Sequence, residues 1–111
     1  MCGIIYKRAE NGASVAVDIE SRYHLQQLRG RQGFGFVSIR GNKPVVVHRA
    51  KQEDEILKKL RKQSASEILF HHRQPTSTPN YVESTHPLLV NHASLPYLFY
   101  VVHNGIITNA A

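Results

Sequence analysis

The chain holds one cysteine among 111 residues, which excludes an intramolecular disulfide and the Cys-rich zinc ribbons and fingers. Long hydrophobic runs are also missing. No apolar stretch approaches the roughly 18 residues of a membrane span, so no part of the chain is expected to enter a bilayer. The opening Met1-Cys2-Gly3-Ile4-Ile5-Tyr6 turns polar at Lys7-Arg8, too early for the apolar stretch of a secretory signal, and a cytoplasmic location is expected. Internal repeats, low-complexity tracts and interdomain linkers are absent as well. The net charge is +6, but thirteen of the fourteen Lys and Arg lie before residue 63, interspersed with six acids. With no aromatic-interleaved basic stripe, nucleic acid is not the expected partner. From Gln63 onward the only Lys or Arg is Arg73.

What is present suits one compact domain: 41% hydrophobic and 20% charged residues, at a length that buries well over half of the unfolded surface. Cys2 to Tyr6 is a short run of β-branched and aromatic residues, expected as a strand buried on both faces. After the turn-like Glu10-Asn11-Gly12, the segment from Asp18 to Leu28 carries Ile19, Tyr23, Leu25 and Leu28 at mixed three- and four-residue spacing. An amphipathic helix is predicted there, ended by Arg29-Gly30. Gly33 to Ile39 and Lys43 to His48 read as a hairpin turning at Arg40-Gly41-Asn42. Gln52 to Gln63 is the clearest helix, with Ile56, Leu57 and Leu60 on one face, acids in the first turn and bases in the last. Strands are predicted at Glu67 to His72 and Tyr97 to Val102. Between them lies a Pro-, Ser-, Thr- and Asn-rich loop from Gln74 to Ser84, of a length that usually signals function, and a short apolar run at Leu88 to Val90. The order of elements predicts an α+β layered domain with a largely antiparallel sheet.

Three features could carry chemistry. Cys2 becomes the N-terminal residue once Met1 is removed, and an N-terminal cysteine carries its own base. Its α-amine titrates at about 7.7 to 8.0 and its thiol at about 8.5, so the amine can take the thiol proton directly or through one water. The bland alternative is an inert buried thiol. Arg73 closes the strand-like Ile68-Leu69-Phe70-His71-His72. Its guanidinium could grip a carboxylate bidentately; the alternative is an exposed strand-end arginine. His103-Asn104-Gly105 could be a simple turn. Otherwise the Asn104 side-chain amide and the Gly105 backbone N–H could face a developing oxyanion. Of the seven histidines, His71, His72, His86, His92 and His103 fall in the second half. None forms a metal-ligand spacing, so no metal and no cofactor are expected. Adjacent His71 and His72 on a strand should point to opposite faces.

Together these segments resemble the class II glutamine amidotransferases, the branch of N-terminal nucleophile hydrolases that includes the glutaminase domains of glucosamine-6-phosphate synthase and amidophosphoribosyltransferase. Met1-Cys2-Gly3-Ile4 looks like the family's opening, and Leu25 to Gly35 like the end of its first helix and entry to the next strand. His72-Arg73 with Thr76 and then His86-Pro87 resembles its glutamine-binding segment. His103-Asn104-Gly105-Ile106-Ile107-Thr108-Asn109 is close to its oxyanion-hole signature. Gln74-Pro75 departs from the Trp or Tyr common after the binding arginine, and Gln32 stands near an expected acid. The resemblance implies Cys2 as nucleophile, Asn104 and Gly105 as oxyanion hole, Arg73 on the glutamine α-carboxylate, and Thr76 and His86 lining the pocket. It implies a four-layer αββα sandwich, glutamine as substrate, release of ammonia through a cysteinyl thioester, and an ammonia-acceptor domain or subunit outside this chain. Family domains continue past the Asn-Gly signature to an aspartate that grips the substrate amine, so residues 1–111 are expected to be the N-terminal portion of such a domain. The alternative function is a catalytically silent glutamine- or glutamate-binding module of the same fold.

Overall fold

The computed structural model describes residues 2–41, 43–74, 88–90 and 99–101. Its elements are β1 (Cys2–Arg8), α1 (Ala16–Gln26), a 3-10 turn (Gln27–Arg29), β2 (Gly33–Arg40), β3 (Lys43–Ala50), α2 (Glu53–Arg61), β4 (Glu67–Arg73), β5 (Leu88–Val90) and β6 (Phe99–Val101). Strands β1 to β4 form one antiparallel sheet in the order β1-β4-β2-β3, and β5 pairs with β6 separately. This is a small α+β domain with a four-stranded antiparallel sheet and two helices, the class and sheet type expected from the sequence. No helix among the described residues is long and apolar enough to cross a membrane.

The sheet's order follows from its connections. β2 and β3 make the predicted hairpin, turned at Gly41, whose φ of 57° is left-handed and suits a residue without a Cβ. β4 inserts between β2 and β1 and pairs with both. One sheet face is apolar: Ile5, Phe34, Phe36, Ile68 and Phe70 are buried on it. Both helices cover that face. Ile19 and Tyr23 from α1 and Ile56, Leu57 and Leu60 from α2 join the same core. Tyr23 lies at its centre, its ring 5.7 Å from those of both Phe34 and Phe70.

Two expectations are corrected. β1 is not buried on both faces: it is an edge strand in which Gly3 and Ile5 are buried while Ile4 and Tyr6 are 40% and 54% exposed. Period-two alternation, hidden by an all-apolar composition, governs it. Helix α1 begins two residues before the predicted start, and the buried set is Ala16, Ile19 and Tyr23. Leu25 and Leu28 are 78% and 96% exposed, because Leu25 lies off the buried stripe and Leu28 falls in the 3-10 turn. In α2 the predicted face is the buried one, with Glu53, Asp54 and Glu55 at its start and Lys58, Lys59 and Arg61 at its end.

Candidate functional site

The sheet brings two of the proposed functional residues side by side. Antiparallel pairing of β1 with β4 places Cys2 opposite Arg73, and pairing of β2 with β4 places Gly33 on the other side of Arg73. Register partners of this kind have Cα atoms about 4.5 to 5.5 Å apart. Residues 71 positions apart in sequence thus share one end of the sheet. Arg73 is 7% exposed, so it is not the exposed strand-end arginine that its position allowed. Alternation along β4 puts Arg73 and His71 on the face away from the helices, and Phe70 and His72 on the face toward them.

The residue beside Arg73 explains why its backbone stands where it does. His72 is fully buried, with its ring 4.9 Å from Tyr23 in an edge-on arrangement. Its Nδ1 lies 2.8 Å from the Gly30 carbonyl oxygen. A carbonyl can only accept, so Nδ1 carries the proton and donates. Nε2 lies 3.1 Å from the Gln26 side-chain nitrogen and therefore accepts from that amide N–H. The neutral tautomer is fully assigned by its partners. Burial, opposed by the Gly30 hydrogen bond and assisted by the Arg29 charge, holds its pKa below the usual histidine value.

Two glycines make this packing feasible. A Cβ on Gly3 would come within 2.0 Å of His72 Nε2, so the imidazole lies directly over the β1 backbone at the residue after Cys2. A Cβ on Gly30 would stand 2.3 Å from the Arg73 carbonyl carbon and 2.7 Å from its Cα. The Gly30 backbone therefore rests on the backbone of Arg73. Two residues on, the Gln32 N–H donates to the Arg73 carbonyl at 3.0 Å. The connection from α1 to β2 thus grips the end of β4 from both sides of Arg31.

Arg31 anchors that connection to the second helix. It donates to Glu53 at 3.2 Å, and the Tyr23 hydroxyl donates to the other oxygen of the same carboxylate. The Tyr23 hydrogen bond, then Arg31, hold the Glu53 carboxyl below its ordinary pKa against the opposing effect of burial. Burial first, then Glu53, push the Tyr23 hydroxyl well above its ordinary value, so it stays a donor.

Thr76, His86, Asn104 and Gly105 lie outside the described residues, as do His92, His103, Pro75 to Ser84 of the long loop and the segment after Val101. Of the residues expected at the site, the described sheet therefore brings together Cys2 and Arg73. Sequence reasoning named His72, Gly3, Gly30 and Gln32 only as parts of the resembling segments, and missed the contacts that join them to one another and to Gln26. The Cys-Gly and Arg-Gly pairs were the available signal, since each glycine marks a close approach. Among the described residues no group of three or more His, Cys, Asp or Glu side chains could hold a metal ion. The chain matches no family model, no curated protein and no solved structure.

Proposed function

We propose that the chain carries the glutaminase chemistry of the class II glutamine amidotransferases, freeing ammonia through a thioester on Cys2. The observation that carries this reading is the register pairing of Cys2 with Arg73. A glutamine presents an α-carboxylate at one end and an amide at the other, separated by three carbons. A cation for the first and a nucleophile for the second are needed a short distance apart, and neighbouring strand positions supply that spacing.

In the proposed reaction the α-amine of Cys2, freed by removal of Met1, takes the thiol proton. The thiolate forms a bond to the amide carbon, and the carbonyl electron pair moves onto oxygen, which the Asn104 side chain and the Gly105 N–H receive. Collapse of this intermediate expels ammonia, which leaves with the proton held by the amine. Water then attacks the thioester by the same route, releasing glutamate and restoring the thiol. Arg73 holds the α-carboxylate throughout, and Thr76 and His86 line the pocket. The ammonia acceptor belongs to a domain or subunit outside this chain, and the chemistry calls for no metal or cofactor.

The finer fold proposed is the four-layer αββα sandwich. Its support is the sheet's second face, where Val37 and His71 are buried at 1% exposure while Ile4 and Tyr6 on the edge strand remain partly open. A second sheet laid on that face would cover them.

Intact mass of the purified chain, before and after a glutamine-mimicking diazoketone, tests the activity, together with ammonia release from glutamine. Loss of Met1 and a single adduct that Cys2→Ala abolishes are expected, with ammonia released only by the parent. Retained Met1, or no adduct, would overturn the reading. Glutamine binding by calorimetry without ammonia release would replace it with the silent binding module.

A further inference from the structure

We infer that His72 is a positioning residue that sets the placement of the nucleophile strand relative to Arg73, through Gly3 on one side and Gly30 on the other. This inference rests on the glutaminase reading and adds a residue to it. The imidazole meets three separate elements at once. Its Nδ1–H donates to Gly30, whose backbone rests on Arg73. Its Nε2 accepts from Gln26 at the last turn of α1. The same Nε2 edge lies over Gly3, the residue that follows Cys2. β1 is an edge strand with one hydrogen-bonded neighbour among the described strands, so its end can slide or twist unless a side chain fixes it. His72 provides that fixing from the core side, while Arg73, next in sequence, serves the opposite face. One strand end thus sets both partners of the Cys2–Arg73 register pair.

A positioning role and a merely structural one differ in what they move. The test compares Cys2 alkylation by two reagents on the full chain: the glutamine-mimicking diazoketone, which carries an α-carboxylate, and iodoacetamide, which does not. In the first, the protonated diazo carbon bonds to sulfur and dinitrogen leaves; in the second, iodide leaves. The parent should favour the diazoketone. His72→Phe, folded as judged by a cooperative urea transition, should lower that preference by about tenfold, the effect typical of one net hydrogen bond. Its iodoacetamide rate should match the parent. His72→Asn keeps an N–H near Nδ1 for Gly30 and should restore most of the preference.

An unchanged preference in folded His72→Phe would overturn the positioning role while leaving the glutaminase reading intact. Absence of any preference in the parent would overturn both. Where His72→Phe fails to fold, Gln26→Leu removes only the Nε2 partner at the helix end. It should lower the preference in the same direction, and a parent-like ratio there would also overturn the inference.

Discussion

Glycines 3 and 30 meet different kinds of neighbour, and the difference sets what each can tolerate. At Gly3 the obstacle to a Cβ is an imidazole and a glutamine side chain; at Gly30 it is the backbone of Arg73 and Gln74. Side chains can shift at a cost of about 1 to 3 kcal/mol, whereas displaced backbone must carry β4 with it. In urea titrations Gly30→Ala should therefore lose more stability than Gly3→Ala. Gly12, with φ of 79° and nothing near its missing Cβ, should lose only the left-handed backbone cost of about 1 to 2 kcal/mol. Equal losses at positions 3 and 30 would contradict this ranking. For Arg73 the prediction is functional. Arg73→Lys keeps the charge but not the bidentate fork, so KM for glutamine should rise by about 10- to 100-fold, as expected for a lost charge-assisted hydrogen bond. Initial-rate kinetics decide it, and an unchanged KM would remove Arg73 from carboxylate binding. The chemical candidates Cys2 and Arg73 were readable because residue type and isolation in charge pointed to them. The role of the His72 imidazole on the opposite face was not, because a histidine's role depends on what packs against it, and Gly30 is 42 positions away.

At the scale of elements, legibility followed the sharpness of the apolar pattern. Helix α2 has three buried residues, Ile56, Leu57 and Leu60, flanked by charge, and its predicted face was correct. Helix α1 was displaced because Leu25 and Leu28 look like core residues in sequence, while small Ala16 does not. An apolar side chain need not be buried, since much of a folded surface is apolar. Leu60→Ala should cost about 2 to 5 kcal/mol, as for other fully buried leucines. Leu28→Ala should stay within about 0.5 kcal/mol. Chemical denaturation of the two variants checks the assignment, and a large loss at Leu28 would restore the sequence-based helix. The β1 edge was hidden for a related reason: every residue from Gly3 to Tyr6 is apolar or glycine, so alternation leaves no trace in composition. The sheet order was equally silent, because only register, and not pattern, places β4 between β1 and β2.

For the whole molecule, buried and paired titratable groups combine into a two-step response to acid. His72 and His48 both have pKa values lowered chiefly by burial from the ordinary 6.5, with Arg29 assisting at His72 and Lys59 at His48. Below that value the unfolded chain binds protons that the folded one refuses, so stability should fall as pH drops through about 6.5 toward the lowered values. Glu53 and Glu20 are lowered by Tyr23 and Arg61 respectively, from an ordinary 4.5. Their contributions are complete above that value and are lost as pH falls through the lowered pKa values. The urea midpoint followed against pH should therefore decline in two stages. His72→Asn should flatten the upper stage in part, leaving the portion due to His48, and should leave the lower one in place. Glu53→Gln should do the reverse, because it retains an acceptor for Tyr23 but removes the charge that holds Arg31 and, through it, the segment gripping Arg73. If His72→Asn left the upper stage unchanged, His72 would have to be as readily protonated in the folded state as in the unfolded one, and burial would not be lowering its pKa.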